Sequence, residues 1–287
     1  MLCMRILITG ASGLLGHALI ERLARDHDLA LWSYTQAVGA FTSVDLRDAS
    51  AVASTMRTAA PDLVIHAAAN RDPDFCEAHP DQAAALNVDA TRNLLESADN
   101  WNARLVFIST DYVFDGTSPP YREEASVNPL NVYGQTKVEA ETLVRSSADH
   151  LIVRIPVLYG RGAKPDNDLI QKLRAAIASP DPVHVDDVNL RTPTWTADVA
   201  DALAILIEKN AVGAFHVSSG EVMTAYTMAK TLAGVLGLPA DHIHPGPAPA
   251  RQAPRPVAAL LDTEKIRRFG FDRFTPFRQG LQKVLRS

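Results

Sequence analysis

Tyr133 and Lys137, in Asn131-Val-Tyr-Gly-Gln-Thr-Lys137, are the pair best suited to chemistry in this sequence. On a helix their spacing sets both on one face. A free tyrosine has a pKa near about 10, too high for easy proton exchange at neutral pH. A neighbouring ammonium favours the tyrosinate and lowers that value, so the pair can serve as general acid or base on a carbonyl or alcohol. Alone, such a pair is as readily a surface Tyr and Lys on an amphipathic helix. Thr110, ending the apolar run before Asp111-Tyr112, adds a hydroxyl able to position a substrate oxygen.

A second group precedes them. Gly10-Ala-Ser12-Gly13-Leu14-Leu15-Gly16 follows a predicted strand and opens a predicted helix. In that context Gly10 permits a tight turn, Gly13 lets backbone approach a pyrophosphate, and Gly16 allows close helix–strand packing. The helix N-terminus offers free N–H groups and partial positive charge to the anion. Glycine loop, strand-end hydroxyl and Tyr-xxx-Lys, in this order, argue for an enzyme that uses a dinucleotide.

These residues need a scaffold, and the apolar pattern predicts one. Strands are expected at Arg5–Thr9, Leu29–Tyr34, Leu63–Ala67, Arg104–Ser109 and Ile152–Ile155, with helices at Leu14–Arg25, Asp48–Ala59, Pro80–Ala98 and Val132–Val144. Alternating strands and helices imply βαβ units and a parallel sheet, here a Rossmann-type, doubly wound α/β fold. After about residue 160 prolines thicken, from Pro165 through Pro193 and again from Pro239. Pro245–Pro256 reads as an ordered surface loop or lid. Helices are expected again at Ala197–Glu208, Ala225–Leu236, Asp262–Phe269 and Pro276–Leu285, the last with Thr275 as N-cap. The expected division is a dinucleotide-binding unit at 1–160, rejoined by about 195–218, and a smaller substrate lobe at 161–194 and 219–287.

Composition narrows the class. With 28 Lys and Arg against 33 Asp and Glu the net charge is −5, unlike a protein that binds nucleic acid through a basic surface. No apolar run reaches the roughly 18–20 residues of a membrane helix, and Met1–Gly16 reads as a first strand rather than a signal peptide. Cys3 and Cys76, far apart, form no disulfide framework or zinc site. Cys76 reads as a buried thiol, His242-Ile-His244 as structural or solvated, and no metal is assigned. A cytoplasmic protein is expected.

Cofactor type is sought at the end of the second strand, where an Asp or Glu would bind the ribose 2′-OH of NAD. Leu29 to Val44 contains neither acid nor Arg, and the nearest arginines are Arg25 and Arg47. NADP(H) is favoured over NAD(H). Asp45 and Leu46, after the third strand, are candidates for the adenine.

The motifs Gly10–Gly16, His66-Ala67-Ala68-Ala69, Ser109-Thr110 and Tyr133/Lys137 resemble the extended short-chain dehydrogenase/reductase family. More narrowly, Ser109–Gly116, Pro129–Gly134, Arg255-Pro256 and Leu261-Asp262 are similar to the dTDP-4-dehydrorhamnose reductase family. Phe114–Glu124, Arg154–Gly160, Gly213–His216 and Thr275–Phe277 are most similar to its regulatory branch, the β subunits of methionine adenosyltransferase.

That resemblance implies roles. Tyr133 would donate the proton, Lys137 would lower its pKa and hold the nicotinamide ribose, and Thr110 would position the carbonyl oxygen. Gly10, Ser12, Gly13, Leu14, Leu15 and Gly16 would hold the pyrophosphate, with Ala67, Ala68 and Ala69 along the cofactor. Asp111, Val113, Phe114, Arg191 and Arg255 would face a nucleotide-sugar substrate, Arg255 at its diphosphate; an ordinary salt bridge is the other reading of Arg255. The reductases' aromatic in the Arg154–Tyr159 segment is absent, and Ala258 and Ala259 replace their Asn and Ser. Tyr112 stands where the related dehydratases carry a Glu, and Cys76 has no assigned His partner, so neither dehydration nor epimerisation is expected. Two functions follow: an NADPH-dependent reductase of a 4-keto group on a nucleotide-linked deoxysugar, or an NADP-binding regulatory subunit of a partner enzyme. The end at Ser287, soon after the expected closing helix, weighs toward the enzyme. A homodimer is expected under either.

Overall fold

The computed structural model describes residues 3–34, 40–161 and 169–286; Met1, Pro165 and Ser287, used above, lie outside them. In chain order the first elements are β1 (Arg5–Thr9), α1 (Leu14–Leu23), β2 (Asp28–Ser33), β3 (Phe41–Ser43), α2 (Ala49–Ala59) and β4 (Leu63–His66). Then come α3 (Pro73–Ala78), α4 (Pro80–Ala84), a π turn (Ala85–Asp89), α5 (Ala90–Asp99), β5 (Arg104–Thr110), α6 (Val132–Val144) and β6 (Leu151–Ile155). The remainder is β7 (Leu158–Tyr159), α7 (Leu169–Ile177), β8 (Val183–Asp186), β9 (Thr194–Trp195), α8 (Thr196–Glu208), β10 (Gly213–His216), α9 (Ala225–Leu236), β11 (Ile243–Gly246), α10 (Glu264–Phe269) and α11 (Phe277–Arg286).

Seven strands pair in one parallel sheet, ordered β3-β2-β1-β4-β5-β6-β10. This is a Rossmann-like α/β fold. The apolar runs fit it because both faces of the sheet are covered. Ile6 and Ile8 of β1 pack with Leu19 of α1 and Leu203 of α8. Leu7, on the other face, packs with Val52 and Met56 of α2 and Leu94 of α5. The order of strands reverses between β1 and β4, and outside the carboxyl ends of the strands at such a point lies the crevice in which these sheets bind ligands. The glycine loop lies on one side of it and Ala67–Ala69 on the other.

A third core gathers Ile170 and Leu173 of α7, Met228 and Leu232 of α9, Ile243 of β11 and Phe277 and Leu281 of α11. Here the structure corrects the sequence reading. Pro245 is no loop residue: it lies in β11, parallel to β8 and opposite Val185. A two-stranded sheet is all edge, where a missing N–H is tolerated. Thr275 does not cap α11. Its hydroxyl donates to Asp198 Oδ1 at 2.9 Å, while Glu221 Oε2 accepts the Phe277 N–H at 2.6 Å. The helix expected at Pro80–Ala98 contains the π turn, and β5 continues through Thr110.

Candidate functional site

The glycine loop is built for close approach. Gly10 has a φ of +66°, and a Cβ there would stand 2.8 Å from Ala68 N and 2.9 Å from the Ala67 carbonyl carbon. β1 and the segment after β4 can therefore meet only at a glycine. The Gly13 N–H donates to Gly10 O at 2.9 Å. No side chain caps α1, which starts beyond Gly13, so its first N–H groups remain available to an anion. Ser12 Oγ lies 2.8 Å from Ser33 Oγ at the end of β2. Leu14 is half-buried and Leu15 buried. An uncapped helix start, exposed Gly13 and the close Gly10–Ala68 contact fit a dinucleotide pyrophosphate.

Across the crevice His66 is locked in a neutral form. Its Nδ1 pairs with Thr9 Oγ1 at 2.8 Å and its Nε2 with Thr91 Oγ1 at 3.1 Å. Burial, then Lys137, depress its pKa to about 3. Ala67, Ala68 and Ala69, which follow it, are half-buried. The segment ends at Asn70, which Asn87 grips from both sides: Asn70 N–H donates to Asn87 Oδ1 at 2.8 Å, and Asn87 Nδ2 donates to Asn70 O at 3.0 Å. Asn87 Nδ2 also reaches Thr136 Oγ1 of α6 at 3.0 Å. The π turn thus ties the crevice wall to the Tyr–Lys helix. Asn70 and Asn87 were missed in the sequence, where no local signal marks a π turn.

The helix α6 carries Tyr133 and Lys137. Asn131 caps it through Oδ1, 2.9 Å from the Gly134 N–H, a signal present in the sequence as Asn ahead of the helix. Its Nδ2 donates to Pro254 O at 2.7 Å, and Glu77 Oε2 accepts the Val132 N–H at 3.1 Å. Gly134 is required because a Cβ would sit 2.3 Å from Tyr112 O. One turn after Lys137, Glu141 takes Ser109 Oγ at 2.6 Å and Arg154 through two bonds of 2.9 and 2.7 Å, all buried. This clip fixes α6 against the end of β5.

Burial pushes the Tyr133 pKa up, with the nearby Thr110 side chain pulling the other way. Lys137 is buried. Its Nζ donates to Ile108 O at 2.7 Å and lies 3.9 Å from the centre of the Phe107 ring. Burial lowers its pKa to about 7, against the opposing pull of Glu141. The Thr110 hydroxyl donates to Asp111 Oδ1 at 3.0 Å and accepts the Tyr112 N–H at 3.2 Å. Burial raises Asp111 to about 6, with Arg191 opposing. Tyr112 and Tyr133 meet edge to face, their rings 5.9 Å apart.

The residues read for substrate divide. Asp111 and Arg191 lie beside Thr110 and Tyr112; Arg191 Nη1 donates to Leu190 O at 2.7 Å and Pro256 O at 3.0 Å, and its guanidinium lies 5.8 Å from the Tyr112 ring centre. Val113 and Phe114 are sealed in a small core with Ala259 and Leu261, Phe114 stacked on Tyr121 at 4.2 Å. Arg255 is engaged: its Nη2 meets Asp74 Oδ2 at 2.9 Å and its Nη1 the Ala253 carbonyl at 2.7 Å. Asp45 is ion-paired with Arg47 at 2.7 Å, and Leu46 is buried with its carbonyl accepting from Asn93. Cys76 is buried and its thiol pushed up to about 11, chiefly by burial. His242 Nε2 lies 3.3 Å from Ala176 O. Among the described residues no cluster of three His, Cys, Asp or Glu could hold a metal, and no helix is long and apolar enough to cross a membrane.

Residues 4–287 match the family model described as the RmlD substrate binding domain. The chain is 39% identical over 290 residues to methionine adenosyltransferase 2 subunit beta of Bos taurus, covering 98% of this chain and 87% of that protein. Among solved structures, a dTDP-4-dehydrorhamnose reductase from Clostridium acetobutylicum superposes with a TM-score of 0.89 at 28% identity, covering 98% of each chain. The dTDP-4-dehydrorhamnose reductase of Bacillus anthracis, in complex with NADP, superposes with a TM-score of 0.88 at 27% identity, covering 99% of each.

Proposed function

Because the chain belongs to the RmlD substrate binding domain family, we propose that it is an NADPH-dependent reductase of a 4-keto group on a nucleotide-linked deoxysugar. The observation that carries this reading is the convergence of Thr110, Tyr133 and Lys137 beside the glycine-loop crevice. NADPH, when bound, supplies a hydride to the carbonyl carbon. Tyr133 gives its phenolic proton to the carbonyl oxygen, which becomes the alcohol, and is reprotonated from solvent. A pKa held up by burial keeps that donor loaded at neutral pH. The Thr110 hydroxyl turns from Asp111 to the substrate oxygen. Lys137, anchored on Ile108 O, holds the nicotinamide ribose. The N–H groups at the start of α1 hold the pyrophosphate, and Asp45 and Leu46 flank the adenine.

We assign 1–160 with 195–218 to cofactor binding and 161–194 with 219–287 to substrate binding. Asp111 and Arg191 face the sugar nucleotide. Arg255 reaches its diphosphate after release from Asp74. The protein acts in the cytoplasm as a homodimer.

The test is oxidation of NADPH, and separately NADH, with a dTDP-4-keto-6-deoxy sugar, using Tyr133→Phe as control. Turnover should fall by about a hundred-fold or more in the variant, with NADPH affinity unchanged. Equal turnover in the variant removes the assignment. The 39% identity to an adenosyltransferase β subunit supports a second reading, an NADP-binding regulatory subunit. Tight NADPH binding without turnover of any keto-sugar would favour it, and co-purification with a methionine adenosyltransferase would test it.

A further inference from the structure

The ribose 2′ position of a Rossmann-bound dinucleotide lies at the end of β2, where an acid selects NAD and a nearby Arg accommodates NADP. Ser33 ends β2 here, and its hydroxyl meets Ser12 Oγ of the glycine loop at 2.8 Å. Neither Ser33 nor Tyr34, the described residues at this point of the chain, carries a carboxylate. Of the two arginines closest in sequence, Arg25 follows the C-terminus of α1, at the opposite end of the sheet from the glycine loop. Arg47 is at the right end. Its Nη2 donates to Tyr34 Oη at 3.1 Å, and its guanidinium lies 5.2 Å from the centre of the Tyr34 ring, one residue past β2.

Asp45 holds Arg47 there. It accepts Arg47 N–H at 3.0 Å, Nε at 2.8 Å and Nη2 at 2.7 Å. Nη1 has no hydrogen bond among the described residues. The group is well exposed, with Arg47 at 45% and Asp45 at 36% of their free side-chain area, so an incoming ligand can reach it. Ser43 Oγ donates to Tyr34 O at 3.2 Å and fixes the backbone on which the pair rests.

We propose that Arg47, propped on Tyr34 by Asp45, reads the ribose 2′-phosphate and is the residue that selects NADP(H). This rests on the dinucleotide reading above and adds the residue that sets its specificity. The phosphate takes charge-assisted bonds from Nη1 and the Arg47 edge, and the Ser12 and Ser33 hydroxyls face the ribose. An arginine held flat by an acid and an aromatic is already oriented, so little side-chain entropy is lost on binding.

The test is the Kd of the full chain for NADP+ and for NAD+ by calorimetry, in wild type, Arg47→Met and Arg47→Lys. Wild type should bind NADP+ at least ten-fold more tightly. Arg47→Met should weaken NADP+ by about ten- to a hundred-fold, the range of a charge-assisted bond, and leave NAD+ within two-fold; Arg47→Lys should fall between. The NADP+ preference should also weaken with added salt in wild type and not in Arg47→Met. Equal affinities in wild type, or an unchanged ratio in Arg47→Met, overturns this assignment alone. A wild type that binds neither nucleotide overturns the dinucleotide reading and this assignment with it.

Discussion

Lys137 is a cation held where cations are costly. Its ammonium is buried against Phe107, and among the described residues Ile108 O meets one of its three donors. Burial brings its pKa to about 7, below the 10.5 of a free lysine. Below pH 7 both folded and unfolded chains carry the proton, and the desolvation penalty is present in full. Between about pH 7 and 10.5 the unfolded chain binds more protons, so stability rises with pH there. The limiting slope is about 1.4 kcal/mol per pH unit. Lys137→Met removes this titration. Urea unfolding across pH 6–10 should show the wild type gaining on the variant as pH rises, and parallel curves would contradict it. Unlike its lysine partner, Tyr133 keeps its proton throughout most of this range because burial raises its pKa. The two groups respond in opposite directions to the same loss of water: the phenol keeps its proton while the ammonium becomes easier to discharge.

Helix α6 shows how an element places these groups. α6 is set by Asn131 at its cap, by Gly134 against Tyr112 O, and by the buried Ser109–Glu141–Arg154 clip. Gly134→Ala should act through this placement. The added Cβ would meet a backbone oxygen at 2.3 Å, so the first turn must move, carrying Tyr133 off the Thr110 side. Turnover should drop about ten-fold or more, since small displacements of reacting groups are expensive. NADPH affinity should change little, because the glycine loop is untouched; a variant that keeps full turnover would show the contact to be soft. Much of this element was legible in the sequence. Tyr133, Lys137 and Asn131 are local signals, and the strands beneath them are continuous apolar runs. What was not legible is long-range or geometric. Asn87 acts through a π turn that periodicity does not register. Pro245 pairs in β11 because its partner, β8, lies some sixty positions earlier. Arg255 carries the chemistry of a phosphate ligand, and only the fold brings Asp74 beside it.

At the scale of the whole molecule the two halves share elements. The chain leaves β9 directly into α8, which covers the large sheet, while Asp198 of α8 takes both the N–H and hydroxyl of Thr275, at 2.6 and 2.9 Å. Lys265 Nζ, on α10, bonds to Ala214 O of β10 at 2.5 Å. Contacts of this kind couple the unfolding of one half to that of the other. Two tryptophans report separately on the halves. Trp32 is buried in the core around β1 and β2, and Trp195 packs on the third core, with Lys283 Nζ 4.8 Å from its ring centre. Variants keeping Trp32 or Trp195 as the sole tryptophan should therefore melt at one shared temperature. Under the proposed function, NADPH at a hundred times its Kd should add about 2.7 kcal/mol to whatever unfolds with the site. If the halves are one cooperative unit, both signals rise together by several degrees. If only the Trp32 transition moves, the coupling through Asp198 is too weak to bind them, and the crevice folds with the sheet alone.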